Sequence, residues 1–498
     1  MPDGSAPILK AIRGVWPRVR LHWHRRDLRV TDNAGLAAIE TGPIVPCFVL
    51  DPTVLEHASP PREAFLLDAL ESLRAGYRAR GGDLLIRRGA PTAVLPALAS
   101  EHGAEAVSWT RDYSGLARRR DAVVAEALAT EGVETETVHD AVHHPPGTIT
   151  TNDGDPYRVF SYYAGKWRDR PTDPPYDPPG TPDAPDPPKP TDAPGLADVG
   201  GDPIPTAADL GVAAPEADLP PAGTDHAMAK LEAFCAGPIY RYAAERDRPD
   251  LETTSRLSAP LRFGTIGIRT VTERVERARE AAPDEDARES VEEFRDQLAW
   301  REFYTQVLWD RPDVVHRNYR EFTEPIAWRE DPAGLQAWKD GETGYPLVDA
   351  GMRQLRREAW MHNRVRMVVA SFLTKDLLID WRAGYDWFRE RLVDHDPAND
   401  SGGWQWAAST GTDAQPYFRI FNPTSQCERH DPEGEYVREY VPELADAPTR
   451  IIHEWPGIEP AERREHAPEY PDPIVDHAER REAALAMFRR ARGEEESD

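Results

Sequence analysis

The chain of 498 residues is poor in cysteine and has no long apolar run. Three cysteines, Cys47, Cys235 and Cys427, are too few and too scattered for a disulfide framework or for the four thiolates of an iron–sulfur cluster. A membrane-spanning helix needs about 18 consecutive apolar residues, and the sequence contains no such run. Residues 1–14 lack the apolar core of a signal peptide. These absences predict a cytoplasmic protein without membrane contact.

Lysine is also scarce, because six of the 60 basic residues are lysine and the other 54 are arginine. The formal net charge is -27 at pH 7. An acidic, lysine-poor surface stays hydrated in concentrated salt, so a halophilic protein is predicted. Such a charge alone argues against nucleic-acid binding. Net charge does not exclude a local basic patch, however. Concentrated salt also screens the long-range repulsion between an acidic protein and DNA, because the Debye length is only about 3 Å at 1 M salt.

Short apolar runs alternate with amphipathic stretches in the first 140 residues. Strands are predicted at 19–23, 44–50, 84–87, 106–109 and 134–138, with helices at 62–80 and 114–130 among the intervening segments. This order predicts an α/β N-terminal domain built on a doubly wound parallel five-stranded sheet. No GxGxxG follows the first strand, so the usual dinucleotide fingerprint is absent.

The rest of the chain changes in character twice. Residues 171–221 hold 16 of the 48 prolines and predict an extended, acidic connection. From residue 225 onward the strand signal disappears, and amphipathic patterns predict an all-α domain. These helices are expected at 227–236, 268–281, 290–309, 348–358, 363–378 and 385–392. The predicted division is an α/β domain at 1–145, a connection at 146–224, a helical domain at 225–455 and a charged tail at 456–498 with a helix at 478–492.

Five tryptophans fall within 47 residues of the helical half, and acids, amides and arginines lie between them. They are Trp360, Trp381, Trp387, Trp404 and Trp406. Indoles beside polar groups suit a site that holds a large flat heterocycle and transfers electrons. Core aromatics with satisfied N–H groups are the alternative, and composition alone favours them.

The order and spacing of these residues decide between the two interpretations. WMHNRVRM at 360–367 and DHDPANDSGGWQW at 394–406 closely resemble the flavin-binding region of the photolyase/cryptochrome family. RRDLRVTDN at 25–33 resembles the opening signature of the same family. The resemblance covers nearly the whole chain and is weakest over 171–221 and the tail. It implies an antenna-binding α/β domain followed by an all-α domain that binds FAD and DNA.

Two positions separate the subclasses. Asn363 and Met367 resemble class I photolyases for cyclobutane pyrimidine dimers, whereas enzymes for (6-4) photoproducts carry His at both positions. The resemblance therefore implies light-dependent repair by electron transfer from excited, reduced FAD to a flipped-out dimer in UV-damaged DNA. A cryptochrome-like blue-light sensor with little repair activity is the alternative. It is favoured by Gln297, where the family usually has Glu, and by Asp400, where most bacterial members have Asn.

The family's functional residues carry over position by position. Cofactor contacts are implied for Tyr242, Thr254, Ser255, Arg256, Leu257, Ser258, Phe294, Arg301, Trp360, Asn363, Arg366, Asp394, Asp396 and Asp400. Substrate contacts are implied for Arg246, Gln297, Trp300, Asn363, Arg364, Met367, Trp406, Arg419 and Gln426. Trp328, Trp381 and Trp404 match an electron relay, and Gln297 and Asp400 are the further candidates for catalysis.

The resemblance also implies specific partners and roles for some of these residues. Asp394 is expected to pair with Arg366, and Asp396 to contact the edge of the flavin ring. A protonated Asp400, as a buried acid without a cationic partner, could donate a proton to that ring. A one-residue shift would give this role to Asn399. Residues 109–121 resemble deazaflavin-type more than folate-type antenna sites. A monomer without a metal site is expected.

Overall fold

The computed structural model describes residues 19–40, 42–179, 195–197 and 199–494, and it begins with a parallel sheet. The strands are β1 (Val19–His24), β2 (Ile44–Leu50), β3 (Leu85–Arg88), β4 (Ala104–Thr110) and β5 (Glu134–Val138). They lie in the order β3-β2-β1-β4-β5, and every neighbouring pair is parallel. The predicted five-stranded parallel sheet is confirmed. Its strand β2 is a fully buried apolar run, whereas the edge strand β5 is polar.

Helices cover the sheet and form its crossovers. They are α1 (Ala34–Ala37), α2 (Pro52–Leu55), α3 (Pro60–Arg78), α4 (Pro91–His102) and α5 (Gly115–Thr130). The side-chain oxygen of Asn33 accepts hydrogen bonds from the first amides of α1, and Ser114 caps α5 in the same way. Gly103 ends α4 in the left-handed conformation, with φ at 62°.

The predicted connection contains two helices, α6 (Phe160–Arg168) and α7 (Ala207–Leu210). An extended chain is predicted for 171–221, and the short helix α7 within that stretch differs from the prediction. No helix is predicted at 160–168, where α6 lies. Phe160, Tyr163 and Trp167 of α6 are buried against helices of the second half. Of the proline-rich stretch 171–221, residues 180–194 and residue 198 lie outside the described residues.

The remaining part is helical, as predicted. Its helices are α8 (Thr224–Ala236), α9 (Tyr242–Glu245), α10 (Ser258–Phe263), α11 (Ile268–Glu280), α12 (Glu285–Asp310), α13 (Pro332–Asp340), α14 (Pro346–Glu358), α15 (Asn363–Ser371), α16 (Trp381–Arg391), α17 (Pro397–Ala407), α18 (Pro423–His430), α19 (Glu435–Tyr440), α20 (Thr449–Glu454), α21 (Pro460–His466) and α22 (His477–Ala491). The pattern at 363–378 predicts one helix, but a π-helical turn at Phe372–Asp376 follows α15. Short 3-10 turns lie at Pro238–Arg241, Pro312–Val315, Pro442–Leu444 and Trp455–Gly457. None of the described helices is long and apolar enough to cross a bilayer.

Buried ion pairs join the sheet domain to the helical domain. Nε of Arg269, on α11, donates to Asp32 at 2.7 Å, and another nitrogen of the same side chain donates to Asp140. Arg29 donates to Asp140 at 2.6 Å. All four side chains are at most 5% exposed, so these charges satisfy one another without water. We call this group the interdomain lattice.

Candidate functional site

A cavity of about 490 Å³ opens in the helical domain between α9, α10, α12, α15 and α17. Ligand pockets for large molecules commonly measure about 300–1,000 Å³. Nine predicted cofactor residues line it: Tyr242, Ser255, Leu257, Ser258, Phe294, Arg301, Asn363, Arg366 and Asp400. Six predicted substrate residues line the same cavity: Arg246, Gln297, Trp300, Asn363, Met367 and Trp406. The structure thus brings both predicted sets to one place.

Five predicted cofactor residues are not part of this lining: Thr254, Arg256, Trp360, Asp394 and Asp396. The guanidinium of Arg256 lies over the ring of Trp360, 4.2 Å from its centroid, and also donates to Glu358 at 3.0 Å. Nε1 of Trp360 donates to the hydroxyl of Ser258 at 3.3 Å. Thr254 is half-buried and is not part of the lining. Arg256 and Trp360 therefore support the segment that presents Ser258 rather than forming the wall.

A buried ion pair holds the arginine of α15. Nη2 of Arg366 donates to Oδ2 of Asp394 at 2.8 Å, the pairing that the sequence predicts. Burial acts to lower the pKa of Arg366, but the carboxylates of Asp394 and Asp400 outweigh burial and raise it. The second carboxylate oxygen of Asp394, Oδ1, is buried without a hydrogen-bond partner. An unpaired buried acceptor is costly, so this oxygen suits a ligand that brings an N–H group.

Asp400 lines the cavity in a network of its own. Its Oδ2 lies 2.5 Å from Nδ1 of His395 and accepts from the amide of Asp396 at 3.2 Å. Its Oδ1 lies 3.9 Å from Nη1 of Arg366. The premise that this acid lacks a cationic partner is therefore wrong, because Arg366 lies within ion-pair distance of its carboxylate. Asn399 lines the cavity too, but its side-chain amide donates to Asp396 at 3.2 Å.

Asp396 differs from its prediction. Its Oδ1 accepts from the amides of Ala398 and Asn399 and so caps α17. Its Oδ2 accepts from Nη2 of Arg26 at 2.7 Å. Burial alone would raise the pKa of Asp396, but Arg26 and two further arginines hold it well below its usual range. The side chain lines a separate, smaller cavity with Arg26 and Asp112, because helix capping and the interdomain ion pair direct it away from the main cavity.

The opposite wall of the main cavity carries flat rings and amides. Trp300 and Trp406 both line it, and both are half-buried. The amide of Gln297 donates to the backbone oxygen of Glu293 at 3.2 Å and accepts from Nη2 of Arg246 at 3.3 Å. Gln297 is thus oriented by its neighbours, with its amide in the cavity wall.

Three predicted DNA contacts, Arg364, Arg419 and Gln426, lie outside this lining. Nη2 of Arg364 donates to Asp247 at 2.5 Å, and Arg246, which does line the cavity, forms an ion pair with Glu293. Arg419 is exposed on the segment after α17. Gln426 is half-buried, and its side-chain oxygen lacks a hydrogen-bond partner. Each of the two paired arginines therefore already has a carboxylate as its counterion.

The three tryptophans predicted to form an electron relay belong to one hydrophobic cluster. Trp404 lines the cavity and is 2% exposed, and Trp381 is fully buried with its Nε1 donating to Asn318 at 2.9 Å. Trp328 is half-buried and packs against the ring of Phe488. A Cβ at Gly384 would lie 2.0 Å from the Trp404 ring, so only glycine lets α16 approach this indole.

Sequence reasoning missed several residues around Trp404 and Asp400. The ring centroid of Phe388 lies 5.0 Å from that of Trp404, and Trp338 lies 6.0 Å from it. His395 contacts Asp400 directly. The position of His395 between two acids, at 394 and 396, is a signal that could have singled it out.

A five-stranded parallel α/β domain, joined to a helical domain whose cavity is lined by Arg366 and Asp400 and by three tryptophans, Trp300, Trp404 and Trp406, defines a photolyase-type flavoprotein. The family comparisons agree. A sequence model of DNA photolyase matches residues 20–185, and a model of the FAD binding domain of DNA photolyase matches residues 294–490. The chain belongs to the DNA photolyase family.

Known proteins resemble it over nearly its full length. A deoxyribodipyrimidine photo-lyase of Halobacterium salinarum is 58% identical and covers 96% of this chain and 100% of its own length. A class III photolyase from Agrobacterium tumefaciens, known from its crystal structure, superposes with a TM-score of 0.84 at 33% identity, covering 96% of this chain and 98% of its own. A Synechocystis cryptochrome gives a TM-score of 0.82 at 25% identity, covering 95% of this chain and 99% of its own.

Proposed function

We propose that the protein is a light-dependent lyase that repairs cyclobutane pyrimidine dimers in DNA with FAD. One observation carries the proposal: Trp300, Trp406, Asn363 and Met367 line the same cavity as the cofactor residues around Arg366. A flipped-out dimer and a flat cofactor would then occupy one connected space. The photo-lyase names of the curated relatives support this reading.

FAD fits the residues that are present. Ser255, Ser258 and Arg301 offer hydrogen-bond donors toward its phosphates and sugar, and Tyr242 and Phe294 offer apolar surface. The free Oδ1 of Asp394 offers an acceptor to a ring N–H. Once bound, reduced and excited by light, FAD supplies the electron that opens the two ring C–C bonds of the dimer and takes it back, so the reaction is redox-neutral. The remaining assigned residues, Thr254, Arg256, Leu257 and Trp360, would shape this pocket.

The protein's own contribution is positioning and electrostatics. Trp300 and Trp406 would stack on the joined bases, which are extruded at low cost because a dimer is already poorly stacked. Gln297 and Asn363 would donate from their amides to the base edges. Arg246, Arg364, Arg419 and Gln426 would contact the DNA backbone. Trp404, Trp381 and Trp328 would carry electrons from the surface to FAD when it has become oxidised.

Other features of the proposal follow the resemblance. The α/β domain would hold an antenna pigment, with deazaflavin favoured over folate, at residues 109–121. The division into domains at 1–145, 146–224, 225–455 and 456–498 remains a prediction, as do the monomeric state and the cytoplasmic location. Asp396 caps α17 and does not line the main cavity, and its contact with the edge of the flavin ring stays a prediction.

A cryptochrome-like sensor is the second candidate. Gln297 and Asp400 favour it, and both line the cavity. Asn363, Met367 and the tryptophan pair are the features of a repair enzyme and oppose it.

The test is repair of a dimer-containing oligonucleotide by the full chain with reduced FAD, in high salt, under blue light and in the dark. Light-dependent loss of dimers supports the lyase. Intact dimers together with efficient photoreduction of FAD would instead assign the protein to the sensors.

A further inference from the structure

Trp300 of α12 has a stacked partner from outside the helical domain. The ring centroid of Phe160, the first residue of α6, lies 3.7 Å from that of Trp300, and the two planes meet at 9°. Phe160 is itself buried. The ring of Phe160 therefore stacks on one face of the indole, and Trp300 also lines the cavity.

Phe160 is held firmly at the start of its helix. Its backbone amide donates to Oδ2 of Asp413 at 3.0 Å, and the hydroxyl of Thr412 donates to the carbonyl of Arg158 at 2.6 Å. Further along α6, Tyr163 is buried 5.4 Å from the ring of Phe303. Thr412 and Asp413 lie in the segment that follows α17, the helix that carries Trp406. This segment therefore holds α6 in place, and α6 in turn supports Trp300.

Two residues of α12 limit the remaining freedom of the indole. Tyr304 lies 5.4 Å from Trp300 at 34°, and Phe303 meets it edge to face at 84°. Tyr304 is pressed against α17 at Gly402, where a Cβ would lie 2.3 Å from its ring. Rotation of Trp300 would have to break its stack with Phe160 or displace these rings.

We propose that Phe160 is a positioning residue that fixes the plane of Trp300 and thereby sets the selectivity for dimer-containing over undamaged DNA. The inference rests on the proposed function. Stacking on a base depends on the plane that the indole presents, and an indole already held in that plane loses little freedom when the dimer enters. The helix α6 would thus support the substrate site through Trp300 without lining the cavity itself.

The test compares Phe160→Leu, which removes the flat ring, with Tyr163→Leu, which removes a ring of the same helix that faces Phe303. Binding of the FAD-loaded full chain to dimer-containing and undamaged oligonucleotides is measured in the dark. We expect F160L to lower the ratio of the two affinities by about three- to tenfold, the size of one aromatic stack. Y163L should leave the ratio unchanged even where it lowers the melting temperature.

Further variants separate positioning from folding. Phe160→Tyr keeps the ring and should restore the ratio, and F160M replaces F160L if the latter does not fold. Under light, F160L should raise KM much more than it lowers kcat. In a Trp300→Leu background, F160L should cause no further loss of selectivity, because the indole that it positions is gone.

The outcomes distinguish the two proposals. If the wild-type protein prefers dimers and F160L keeps that preference, the positioning role is refuted while the proposed function stands. If Y163L lowers the ratio as much as F160L, the effect is general to α6 and the inference also fails. If the wild-type protein shows no preference for dimers, the proposed function fails and the inference falls with it.

Discussion

Nδ1 of His395 lies 2.5 Å from Oδ2 of Asp400, and both side chains are buried beside the cavity. Burial lowers the pKa of His395, so the neutral imidazole can donate its Nδ1 proton to the carboxylate. The charge of Asp400 therefore has two neighbours, the imidazole on one side and Arg366 on the other.

Asp400→Asn tests whether this carboxylate controls the protonation of His395. The amide oxygen can still accept from His395 and from the Asp396 amide, so FAD content should remain unchanged. Asp400 acts to raise the pKa of His395 against the effect of burial, so the substitution should lower that pKa further and shift the pH profile of light-driven FAD reduction to lower pH. The measurement is the visible absorbance change under illumination with an external reductant, across a pH series. An identical pH profile in both proteins would show that this pair does not set the pH dependence of the reaction.

If Trp381 belongs to an electron relay, Trp381→Phe should impair the photoreduction of FAD without impairing dimer repair. This buried indole should be needed to reduce oxidised FAD under light but not to repair dimers with FAD that is already reduced. We expect photoreduction to slow by at least about tenfold, because electron transfer across the missing indole becomes a longer step. Trp387→Phe, on the same helix but packed under Lys339 and Arg391, is the matched control. Equal rates in W381F and the wild type would contradict the relay.

Asp394→Asn should lower both the FAD content of the purified protein and its free energy of unfolding. The substitution leaves Arg366 with a weaker partner inside the protein, and breaking a buried ion pair costs about 3–5 kcal/mol. The FAD-to-protein ratio after purification and the midpoint of urea unfolding report the two losses. Asp386→Asn removes an exposed carboxylate that pairs with Arg389 on α16, and it should change neither. Full FAD occupancy in D394N would show that the pair does not shape the cofactor site.

We expect Arg364 to break its ion pair with Asp247 and to contact a DNA phosphate instead. Arg364→Gln should weaken the binding of damaged and undamaged oligonucleotides alike, and it should reduce the slope of log K against log salt by about one. Asp247→Asn, which frees the arginine, should strengthen both. The exposed Arg356, on α14, gives the control variant R356Q. A loss confined to damaged DNA would instead indicate a contact with the lesion.

A pH-dependent stability is predicted from Glu302, a buried residue of α12. Its carboxylate accepts from the amides of His143 and His144, both at 2.9 Å, and burial raises its pKa to about 7. An acid whose pKa is higher in the folded state stabilises the fold at low pH, and this contribution is lost as the pH rises toward 7. Wild-type stability relative to Glu302→Gln should therefore fall by about 2–3 kcal/mol between about pH 5 and about pH 8. Urea unfolding in matched salt measures the difference, and a constant gap would show that Glu302 does not titrate in this range.

The sequence predicts the strands and most helices because each carries its own periodic signal. It gives no helix for α6, a short segment that precedes the proline-rich stretch 171–221. The buried rings of Phe160, Tyr163 and Trp167, which pack on residues of α12, stabilise that helix. Tertiary packing supplies information that the local pattern lacks.

The residues of the cavity could likewise be predicted only where the sequence itself carries a signal. Residues whose family positions are well marked, such as Trp300 and Arg366, do line it. Among the closely spaced acids, spacing alone cannot tell which one caps a helix and which one faces a ligand. Asp396 takes the cap of α17 and the pair with Arg26, which leaves Asp394 and Asp400 beside the cavity. The stack behind Trp300 joins residues 140 positions apart, which no local spacing reveals.

The interdomain lattice limits how this chain can be recombined with its relatives. Arg29, Asp32 and Asp140 come from the N-terminal part, and Arg269 comes from the helical part. A chimaera joined within the connection would inherit the two sides from different parents. Unless both parents place matching charges at all four positions, the hybrid would bury an uncompensated ion at its seam. Homologous exchange should therefore succeed only when the lattice is inherited as a unit.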